Sequence, residues 1–453
     1  MELKAKRVLV VGLGKSGVAA AHFLAAQGAR VTVSDSKALS ELGKDIPALL
    51  DKGIVVETGA HGERTFRDQD LIVVSPGVPV DAPQLQQALA AKVPVVGEVE
   101  LASQFLRGPI VAITGSNGKT TTTTLVGEIL ARAGKKVQVG GNIGTPVIEL
   151  VPSSSPETWN VLEISSFQLE TVETFRPKIA AILNITPDHL DRHKTVEAYA
   201  AAKARIFERQ QPADFAVLNA ADRLCAEMAK HIKAQVYWFG RGAEQGSFAR
   251  AGEIFFRRDA AEESILRVAD VPLKGAHNLE NVLAAVCIAR LAGCDAKDIA
   301  AAVRGFKAVE HRLELVATID GVEYYNDSKA TNVDATIKAI ESFSGNLHLI
   351  LGGKDKGSDY SVLNPLLRER VKRVYTIGAA AAKIESQISG VAVVQSQTLA
   401  AAVRSAAESA VPGDVVLLAP ACASFDQFEN YEHRGRAFKQ LVAALSGVNA
   451  ANG

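Results

Sequence analysis

The chain has 453 residues and carries 50 Lys and Arg against 50 Asp and Glu, so its formal net charge is zero. This length is too great for one hydrophobic core and suggests about three domains. The balanced charge argues against a nucleic-acid partner, and no apolar run approaches the length of a membrane span. Four scattered cysteines without metal or redox spacing predict reduced thiols in a cytoplasmic protein, which we expect to be a monomer.

Strand-like and helix-like runs alternate along almost the whole chain, which predicts an α/β protein with parallel sheets covered by helices. The runs fall into three blocks, and we predict domains at residues 1–97, 98–306 and 307–453. The first and last domains are expected to be Rossmann-like, and the central one to have the parallel sheet of P-loop ATPases. A polar, strand-like stretch over residues 243–268 predicts an antiparallel excursion in the central domain.

A glycine-rich loop lies near the start of the first block. The sequence Gly-Leu-Gly-Lys-Ser-Gly at residues 12–17 follows a predicted strand at Val8–Val11, and Asp35 ends the next strand. This arrangement is the fingerprint of a Rossmann nucleotide site. The pattern fits a dinucleotide, another nucleotide diphosphate or a structural glycine turn. A second phosphate loop downstream favours a nucleotide diphosphate other than NAD, because hydride transfer does not use ATP.

That second loop, Gly-Ser-Asn-Gly-Lys-Thr at residues 115–120, lies between an apolar strand-like run and a helix predicted over Thr121–Ala133. Such loops wrap polyphosphate, because their N–H groups and the positive end of the helix face the phosphates. Lys119 would neutralise the β- and γ-phosphates, and the Thr120 hydroxyl could bind Mg²⁺. Ile113 stands where the usual pattern has glycine, so the loop is a shortened variant. An ordinary glycine turn before a helix is the alternative.

Further polar side chains follow predicted strands of the central block. Glu163 comes directly after a buried strand, where a carboxylate can reach Mg²⁺ or simply face solvent. Ser165 and Gln168 have the spacing of a helix capping box, and they could equally contact a substrate. His189 follows the apolar run Ile179–Leu183 and could be a metal ligand or a solvated loop residue.

Lys203 lies on the apolar stripe of a predicted helix. The residues at helical spacing in this stripe are Val196, Tyr199, Ala200, Lys203, Ile206 and Phe207. A buried ammonium is costly, so such a lysine is paired, extends to solvent or is neutral. A neutral amine is a nucleophile that can take up CO₂ as a carbamate, which converts a cation into a metal-binding carboxylate.

Two asparagines and an arginine are further candidates for nucleotide contacts. Asn278 and Asn281 share a helix face and could grip a base or a metal-bound water, or Asn278 could cap the helix. Arg312 follows a predicted domain boundary, where an arginine can reach nucleotide phosphates when domains close.

Three loops of the last block follow predicted strands, at residues 326–332, 352–357 and 419–428. The carboxyl ends of parallel strands are where open α/β sheets bind ligands. Lysines and hydroxyls gathered there indicate an anionic small molecule, although each loop taken singly could be a mere connection.

Together these motifs give the chain a resemblance to the Mur ligase family over essentially its whole length. The family-wide marks are Thr114–Thr120, Asn184–His189, Lys203 and His277–Asn281. The glycine loop at residues 12–17 and the loops at 327–332 and 420–428 are similar to the D-glutamate-adding branch of the family. Two features depart from the usual pattern of that branch: lysines in the expected uridine loops and Tyr at a position that often carries Phe, namely Lys15, Lys37 and Tyr431.

The resemblance implies an ATP-dependent amide ligase that forms a C–N bond and ADP in the cytoplasmic synthesis of peptidoglycan precursors. It would activate UDP-N-acetylmuramoyl-L-alanine as an acyl phosphate and join it to D-glutamate. ATP and one or two Mg²⁺ ions would take part, together with a CO₂-derived carbamate on Lys203. UDP would bind to the first domain, ATP to the central one and D-glutamate to the last.

The resemblance also implies roles for individual residues. Catalysis would use Lys119, Glu163, His189 and Lys203, and metal binding would use Thr120, Glu163, His189 and Lys203. The ATP contacts would be Gly115, Ser116, Asn117, Gly118, Lys119, Thr120, Thr121, Asn278, Asn281, Arg312 and Asp327. The contacts to the other two substrates would be Gly14, Lys15, Ser16, Asp35, Ser36, Ser75, Pro76, Gly77, Asn142, Ser165, Gln168, Lys329, Thr331, Lys356, Ser424 and Tyr431.

Other functions stay open at this point. A dehydrogenase would use the first block alone. Another Mur-type ligase or a folylpolyglutamate-type ligase would share the central domain, although the folate enzymes lack a UDP-type first domain and this set of loops in the last. A non-catalytic nucleotide-sugar-binding protein would bind ATP and a UDP-sugar and release no phosphate.

Overall fold

Three β-sheets with flanking helices make up the protein in the computed structural model, which describes residues 1–42, 45–59, 62–307 and 309–449. The chain divides into two compact units. The first unit comprises residues 1–185, 197–270 and 282–304 and contains two of the sheets. The second comprises residues 186–196, 271–281 and 305 onwards and contains the third sheet.

The first sheet has five parallel strands. They are β1 (Arg7–Val11), β2 (Arg30–Asp35), β3 (Val55–Thr58), β4 (Leu71–Val74) and β5 (Val95–Gly97). The helices of this part are α1 (Lys15–Ala26), α2 (Leu39–Leu42), α3 (Ile46–Leu50), α4 (Glu63–Arg67), α5 (Pro83–Ala90) and α6 (Glu98–Ser103). The strand order is β3-β2-β1-β4-β5. Because β1 lies between β2 and β4, the loops after β1 and β4 meet at the carboxyl edge, where doubly wound sheets bind ligands.

The second sheet has nine strands. They are β6 (Ile110–Thr114), β7 (Val137–Gly141), β8 (Trp159–Glu163), β9 (Ile179–Ile182), β10 (Phe215–Asn219), β11 (Gln235–Phe239), β12 (Gly246–Arg250), β13 (Glu253–Arg258) and β14 (Ala261–Arg267). Their order is β14-β13-β12-β11-β10-β9-β6-β8-β7. The pairs β12/β13 and β13/β14 are antiparallel, which confirms the predicted excursion, and the other pairs are parallel.

Strand β6 is fully buried between β8 and β9, and no residue of Val111–Ile113 is exposed. Both faces of a parallel strand are covered by helices, which is why its sequence is continuously apolar. The helices along this part of the chain are α7 (Lys119–Arg132), α8 (Val147–Leu150), α9 (Ser166–Leu169), α10 (Leu190–His193), α11 (Val196–Ala204), α12 (Arg223–Ala229), α13 (Ala276–Leu291) and α14 (Ala296–Gly305).

The third sheet has six strands. They are β15 (Glu314–Ile319), β16 (Val322–Asn326), β17 (Leu347–Gly352), β18 (Val371–Ile377), β19 (Ala392–Gln397) and β20 (Val415–Leu418). The helices are α15 (Val333–Glu341), α16 (Asn364–Arg370), α17 (Ala381–Gln387), α18 (Leu399–Ser409) and α19 (Tyr431–Asn449). The order is β15-β16-β20-β17-β18-β19, with β15 antiparallel to β16 and the other pairs parallel. Neighbouring strands β16, β20 and β17 therefore bring their following loops to one edge.

Alternation along β17 places separate cores on the two faces of the third sheet. Leu349 and Leu351 pack on the face that also holds Tyr360 and Leu363, and Ile350 packs on the other. Side chains of successive strand residues point to opposite faces, so an unbroken apolar run serves both cores.

The four cysteines are free, buried thiols. They are Cys225, Cys287, Cys294 and Cys422. Burial raises the pKa of Cys225 to about 12 and the pKa of Cys294 and of Cys422 to about 11. These three thiols are therefore uncharged near neutral pH, which makes them poor nucleophiles.

The predicted α/β class, with parallel strands dominating each sheet, is confirmed. The predicted domain bounds at residues 1–97, 98–306 and 307–453 stay predictions. Among the described residues, no helix combines the length and the apolar character needed to cross a bilayer.

Candidate active site

The glycine loop after β1 is held by two side chains that the sequence predicts as substrate contacts. The backbone N–H of Leu13 donates to Oδ2 of Asp35 at 2.7 Å. The Ser75 hydroxyl, from the loop after β4, donates to the Gly12 carbonyl at 2.8 Å. A side chain at Gly17 would place its Cβ 1.9 Å from that same carbonyl, so glycine is required there. Asp35 and Ser75 thus shape the loop from within the protein.

The other residues predicted to contact UDP gather at the same edge of the first sheet. They are Gly14, Lys15, Ser16, Ser36, Pro76 and Gly77, all exposed or half-buried. Lys15 is the first residue of α1, and its ammonium donates to the Gly144 carbonyl in the loop between β7 and α8. The first two sheets are therefore linked beside this loop.

The phosphate loop joins β6 to α7. Gly118 has a left-handed backbone, with φ of 85°, and Lys119 begins the helix. The Lys119 ammonium donates to the carbonyls of Gly115 and Ser116, at 2.8 Å in each case. The lysine that would neutralise phosphate charge is thus folded over its own loop, at the positive end of α7. Thr121, also predicted to contact ATP, is only 3% exposed.

Asn184 braces the phosphate loop, a role that sequence analysis missed. Its Oδ1 accepts from the Asn117 N–H at 2.9 Å, and its Nδ2 donates to the Asn117 carbonyl at 3.1 Å. Its own carbonyl accepts from the Ser116 N–H at 2.9 Å. A polar residue shortly after a buried strand, β9, is the signal that could have found it, because β9 pairs with β6.

Glu163 is the centre of a cluster beside the phosphate loop. It is 1% exposed and ends β8, the strand next to β6. Its Oε2 accepts from the Thr120 hydroxyl at 2.8 Å, and its Oε1 accepts from Nδ2 of Asn142 at 3.1 Å. A hydroxyl and a carboxylate are hard oxygen donors of the kind that Mg²⁺ prefers, so this pair fits the predicted magnesium site.

Lys203 lies behind the phosphate loop and is 1% exposed. Its Nζ donates to the Gly115 carbonyl at 3.0 Å and to Oγ1 of Thr114 at 3.4 Å. It also lies 4.4 Å from the centre of the Tyr199 ring, whose hydroxyl accepts from Oγ of Ser116 at 3.3 Å. The predicted placement on an apolar face is confirmed, and the amine is paired within the protein.

Ser165 and Gln168 form the predicted capping box at the start of α9. Oγ of Ser165 accepts from the Gln168 N–H at 3.3 Å, and Oε1 of Gln168 accepts from the Ser165 N–H at 2.9 Å. The structural interpretation of this pair is confirmed. Contact with a substrate stays a prediction.

His189 and Lys356 line one pocket of the second unit, with a volume of about 390 Å³. His189 has a left-handed backbone, with φ of 54°, just before α10. Asp188, which precedes it, accepts from Nδ2 of Asn332 at 2.9 Å. Two residues predicted for different roles, metal binding and amino-acid binding, thus share a pocket.

Asn278 and Asn281 are hydrogen-bonded to each other in the first turns of α13. Nδ2 of Asn281 donates to Oδ1 of Asn278 at 3.2 Å, so the predicted common face is confirmed. Nδ2 of Asn278 donates to the Lys274 carbonyl at 2.7 Å. Capping by Asn278 is wrong as an alternative, because α13 already begins at Ala276 and Asn278 lies inside the helix.

The loops after β16, β17 and β20 meet at the carboxyl edge of the third sheet, as predicted. Burial raises the pKa of Asp327 to about 6, and its Oδ1 accepts from the Leu313 N–H at 3.3 Å. Nζ of Lys329 lies 5.1 Å from the centre of the Tyr431 ring. Ser424, from the loop after β20, is 2% exposed.

Two further predicted contacts lie beside this edge. Nε of Arg312 is buried and has no hydrogen-bond partner among the described residues. Thr331 is half-buried, and its N–H donates to the Lys329 carbonyl at 2.8 Å. Both residues belong to the second unit, as Asp327 and Lys329 do.

Three family models match successive parts of the chain. The Mur ligase MurD-like N-terminal domain matches residues 6–97, the Mur ligase middle domain residues 113–289, and the Mur ligase glutamate ligase domain residues 311–422. The chain belongs to the Mur ligase family. The resemblance drawn from the motifs is therefore confirmed.

Similar Mur ligases are known at high identity and over nearly the full length. A UDP-N-acetylmuramoylalanine--D-glutamate ligase from Koribacter versatilis is 66% identical over 98% of this chain and 99% of the relative. A ligase of the same name from Acidobacterium capsulatum is 62% identical over 99% of both chains.

Solved structures of more distant Mur ligases share the fold. A pseudomurein peptide ligase type C from Methanothermus fervidus has a TM-score of 0.62 and 18% identity, with 97% of this chain and 100% of that chain covered. The MurF ligase from Thermotoga maritima in complex with ADP has a TM-score of 0.60 and 18% identity, with 98% and 96% covered. The three-domain α/β fold of Mur ligases is thus the fold of this chain.

Proposed function

We propose that this chain is an ATP-dependent ligase that joins D-glutamate to UDP-N-acetylmuramoyl-L-alanine and releases ADP and phosphate. The observation that carries the proposal is the Thr120–Glu163 pair at the phosphate loop, 2.8 Å apart and backed by Lys119. This arrangement suits phosphoryl transfer from ATP. The names of relatives at 66% and 62% identity select the two other substrates.

The reaction has two steps. An oxygen of the alanine carboxylate attacks the γ-phosphorus of ATP, the bond to the β-phosphate oxygen breaks, and ADP and an acyl phosphate form. The D-glutamate amine then attacks the acyl carbon, the bond to the phosphate oxygen breaks, and the amine loses a proton. Phosphoryl transfer depends on charge neutralisation and alignment. Lys119 would neutralise the phosphate, and the loop N–H groups fixed by Asn184 would align it.

Thr120 and Glu163 would hold Mg²⁺, since both offer hard oxygen ligands at the start of α7. Magnesium would supply positive charge to the phosphate oxygens. Asn142 donates to the Glu163 carboxylate and would keep one of its oxygens turned toward the loop. His189 would be a further ligand, as its place after an apolar strand and the resemblance both predict.

Lys203 would act as a carbamate. Its neutral amine attacks CO₂, a C–N bond forms, and one proton is released, which leaves an anionic group on the side chain. The nitrogen of a carbamate keeps one N–H, which can still donate to the Gly115 carbonyl, 3.0 Å from Nζ. The carbamate oxygens would support magnesium binding, because carboxylate-like oxygens are its preferred ligands.

The remaining residues would divide between the substrates. UDP would bind at the loops after β1 and β4, and ATP would contact Asn278, Asn281, Arg312 and Asp327 in addition to the phosphate loop. D-glutamate would bind through Lys329, Thr331, Lys356, Ser424 and Tyr431. The protein would work as a cytoplasmic monomer, without nucleic-acid or membrane partners. The zero net charge supports the absence of a nucleic-acid partner, because such proteins carry a basic patch.

Phosphate release tests the proposal. The purified chain is given Mg²⁺-ATP and UDP-N-acetylmuramoyl-L-alanine, and each amino acid is added in turn. We expect release with D-glutamate and only background with the others. Release with a folate substrate and glutamate would favour a folylpolyglutamate-type ligase, and binding of both nucleotides without release would favour a non-catalytic protein.

A further inference from the structure

Arg434 of α19 is a fully buried arginine. It is 1% exposed, and within residues 1–42, 45–59, 62–307 and 309–449 no carboxylate lies within 4.0 Å of its guanidinium. Burial lowers the pKa of Arg434 to about 10, so the group stays charged at neutral pH. An unpaired buried charge costs several kcal/mol unless its donors are all satisfied, so its retention calls for an explanation.

All five N–H groups of the guanidinium are used, and their acceptors lie in two loops. Nε donates to Oγ of Ser328 at 3.0 Å, and Nη2 donates to the Ser328 carbonyl at 2.8 Å. Nη1 and Nη2 each donate to the Cys422 carbonyl at 3.2 Å, and Nη1 also donates to the Ala423 carbonyl at 3.4 Å. Five donors in a planar fork are unique to arginine.

The two loops are those that follow β16 and β20. Ser328 directly precedes Lys329, and Ala423 directly precedes Ser424. The Ser328 hydroxyl in turn donates to the Tyr431 carbonyl at 2.8 Å, at the start of the helix that carries Arg434. The Arg434 side chain thus fixes the spacing between Lys329, Ser424 and Tyr431, which we assign to amino-acid binding.

The loop after β17 is attached to the same point. The Lys354 N–H donates to the Ala423 carbonyl at 2.8 Å, and the Ala423 N–H donates to the Lys354 carbonyl at 3.1 Å. A Cβ on Gly353 would lie 2.2 Å from the Ala423 carbonyl and 3.1 Å from Nη1 of Arg434, so the backbone passes directly over the guanidinium. Lys356 follows two residues after Lys354.

We propose that Arg434 is a positioning residue for the amino-acid substrate: it holds the loops after β16, β17 and β20 at one spacing, so that Lys329, Lys356 and Ser424 face the same ligand. This inference rests on the proposed function. Arg434 acts through the loops and makes no contact with the substrate. Loosening them should weaken amino-acid binding most, and it should leave the phosphate loop and the UDP site of the first unit intact.

Arg434→Lys keeps the charge and offers at most three of the five donors. We expect the KM for D-glutamate to rise about tenfold or more, because hydrogen bonds from a charged group are lost. The KM for UDP-N-acetylmuramoyl-L-alanine should stay within about threefold, and kcat at saturating D-glutamate within about fivefold. The KM for ATP should rise less than that for D-glutamate, because the phosphate loop is untouched and only Asp327 adjoins the loosened segment. A merely structural role would lower the melting temperature and the active fraction without this selective change in KM.

Arg370→Lys is the matched control. Arg370 also donates to two backbone carbonyls, those of Glu341 and Phe343 at 3.1 and 3.0 Å, but it ends α16, just before the amino end of β18. All three KM values should stay at the wild-type level in this variant. Should Arg434→Lys fail to fold, Ser328→Ala provides a milder test, since it removes the acceptor of Nε; a rise of about threefold in the KM for D-glutamate is expected.

Wild-type phosphate release with D-glutamate is measured first, and its absence contradicts the proposed function and leaves nothing to attribute to Arg434. With an active wild type, an unchanged KM for D-glutamate in both Arg434→Lys and Ser328→Ala overturns the inference. An equal rise of all three KM values in either variant overturns it as well.

Discussion

Two glycine loops of the first unit have the same local architecture and different surroundings. Each follows a parallel strand and leads into a helix that begins with lysine, Lys15 in α1 and Lys119 in α7. The Lys15 ammonium reaches the Gly144 carbonyl of another loop, whereas the Lys119 ammonium stays over the carbonyls of its own loop, Gly115 and Ser116.

The carboxylates beside the two loops differ further. Asp35 accepts from the backbone N–H of Leu13, so it shapes its loop. Glu163 accepts from the side chains of Thr120 and Asn142, and a hydroxyl and an amide can turn toward a metal ion. The comparison teaches that a strand, a glycine loop and a helix together provide a phosphate-binding backbone. Side chains from neighbouring strands determine whether that backbone also supports catalysis.

Replacing each lysine in turn is the most direct test of whether the two glycine loops have different roles. Lys119→Ala should lower the rate of phosphate release by about 10²–10³, because an electrostatic clamp on a transferring phosphoryl group is lost. Lys15→Ala should mainly raise the KM for the UDP substrate. Steady-state kinetics measure both. Near-normal kcat in Lys119→Ala, or an equal loss in Lys15→Ala, would contradict the division of roles.

Variants of Lys203 test whether catalysis at the phosphate loop needs the proposed carbamate in addition to the N–H groups of the loop. Lys203→Ala should lower activity on the order of 10–10²-fold, as expected when support for a metal ligand is removed. Acetate or formate should restore part of it by filling the vacated space. Lys203→Arg should stay low despite its charge, because a guanidinium does not capture CO₂. Wild-type activity in Lys203→Arg would show that charge alone suffices.

The first loop can be tested through its ligand. Uridine nucleotides should bind to the whole protein in calorimetry and compete with the UDP substrate, whereas NAD and NADP should not. Asp35→Asn weakens the bond to the Leu13 N–H and should raise the KM for the UDP substrate by roughly three- to tenfold, with kcat little changed. Micromolar binding of NAD would restore the dehydrogenase interpretation.

The smallest expected effect is on stability, and it concerns a buried contact between α6 and α8. Glu98, at the start of α6, accepts from the Ile148 N–H at 2.6 Å, and burial raises the pKa of Glu98 from 4.5 to about 7. The folded state therefore holds a proton that the unfolded state has released, and this contribution to stability is lost as the pH rises from about 4.5 through about 7.

Glu98→Gln keeps an acceptor for Ile148 and removes the titration. Its melting temperature should exceed that of the wild type at pH 8 by roughly 2–4 °C, the change that about 1 kcal/mol produces in a domain of 150–250 residues. At pH 5 the difference should be smaller. Calorimetry at both pH values checks this, with the exposed Glu197→Gln as control. An equal difference at both values would argue against titration of Glu98.

Local patterns predicted much of the fold and of the first unit's site. The apolar strands before Gly115 and Glu163 and the apolar stripe through Lys203 could be recognised because strand and helix periodicity is local. The capping box of Ser165 and Gln168 is local as well. These features can be predicted without knowing which strands pair in the sheet.

The rest depends on pairings between distant parts of the chain. Asn184 braces Asn117 only because β9 pairs with β6, and no spacing in the sequence shows that. Asp35 matched the Rossmann fingerprint, and its bond to the Leu13 N–H depends on the backbone geometry of the loop. Arg434 is an ordinary helical arginine in the sequence, and its burial follows from where α19 packs.

The Cys422 thiol allows the opening of the loops after β16, β17 and β20 to be measured in the unaltered protein. Its thiol lies 3.0 Å from the Tyr360 hydroxyl and is 1% exposed, and its carbonyl accepts from Arg434. A maleimide or disulfide reagent can reach this sulfur only when the loops separate, so its rate of labelling reports the frequency of that opening. The native thiol is thus a probe of local breathing that requires no engineered label, and a bound amino acid should slow its reaction.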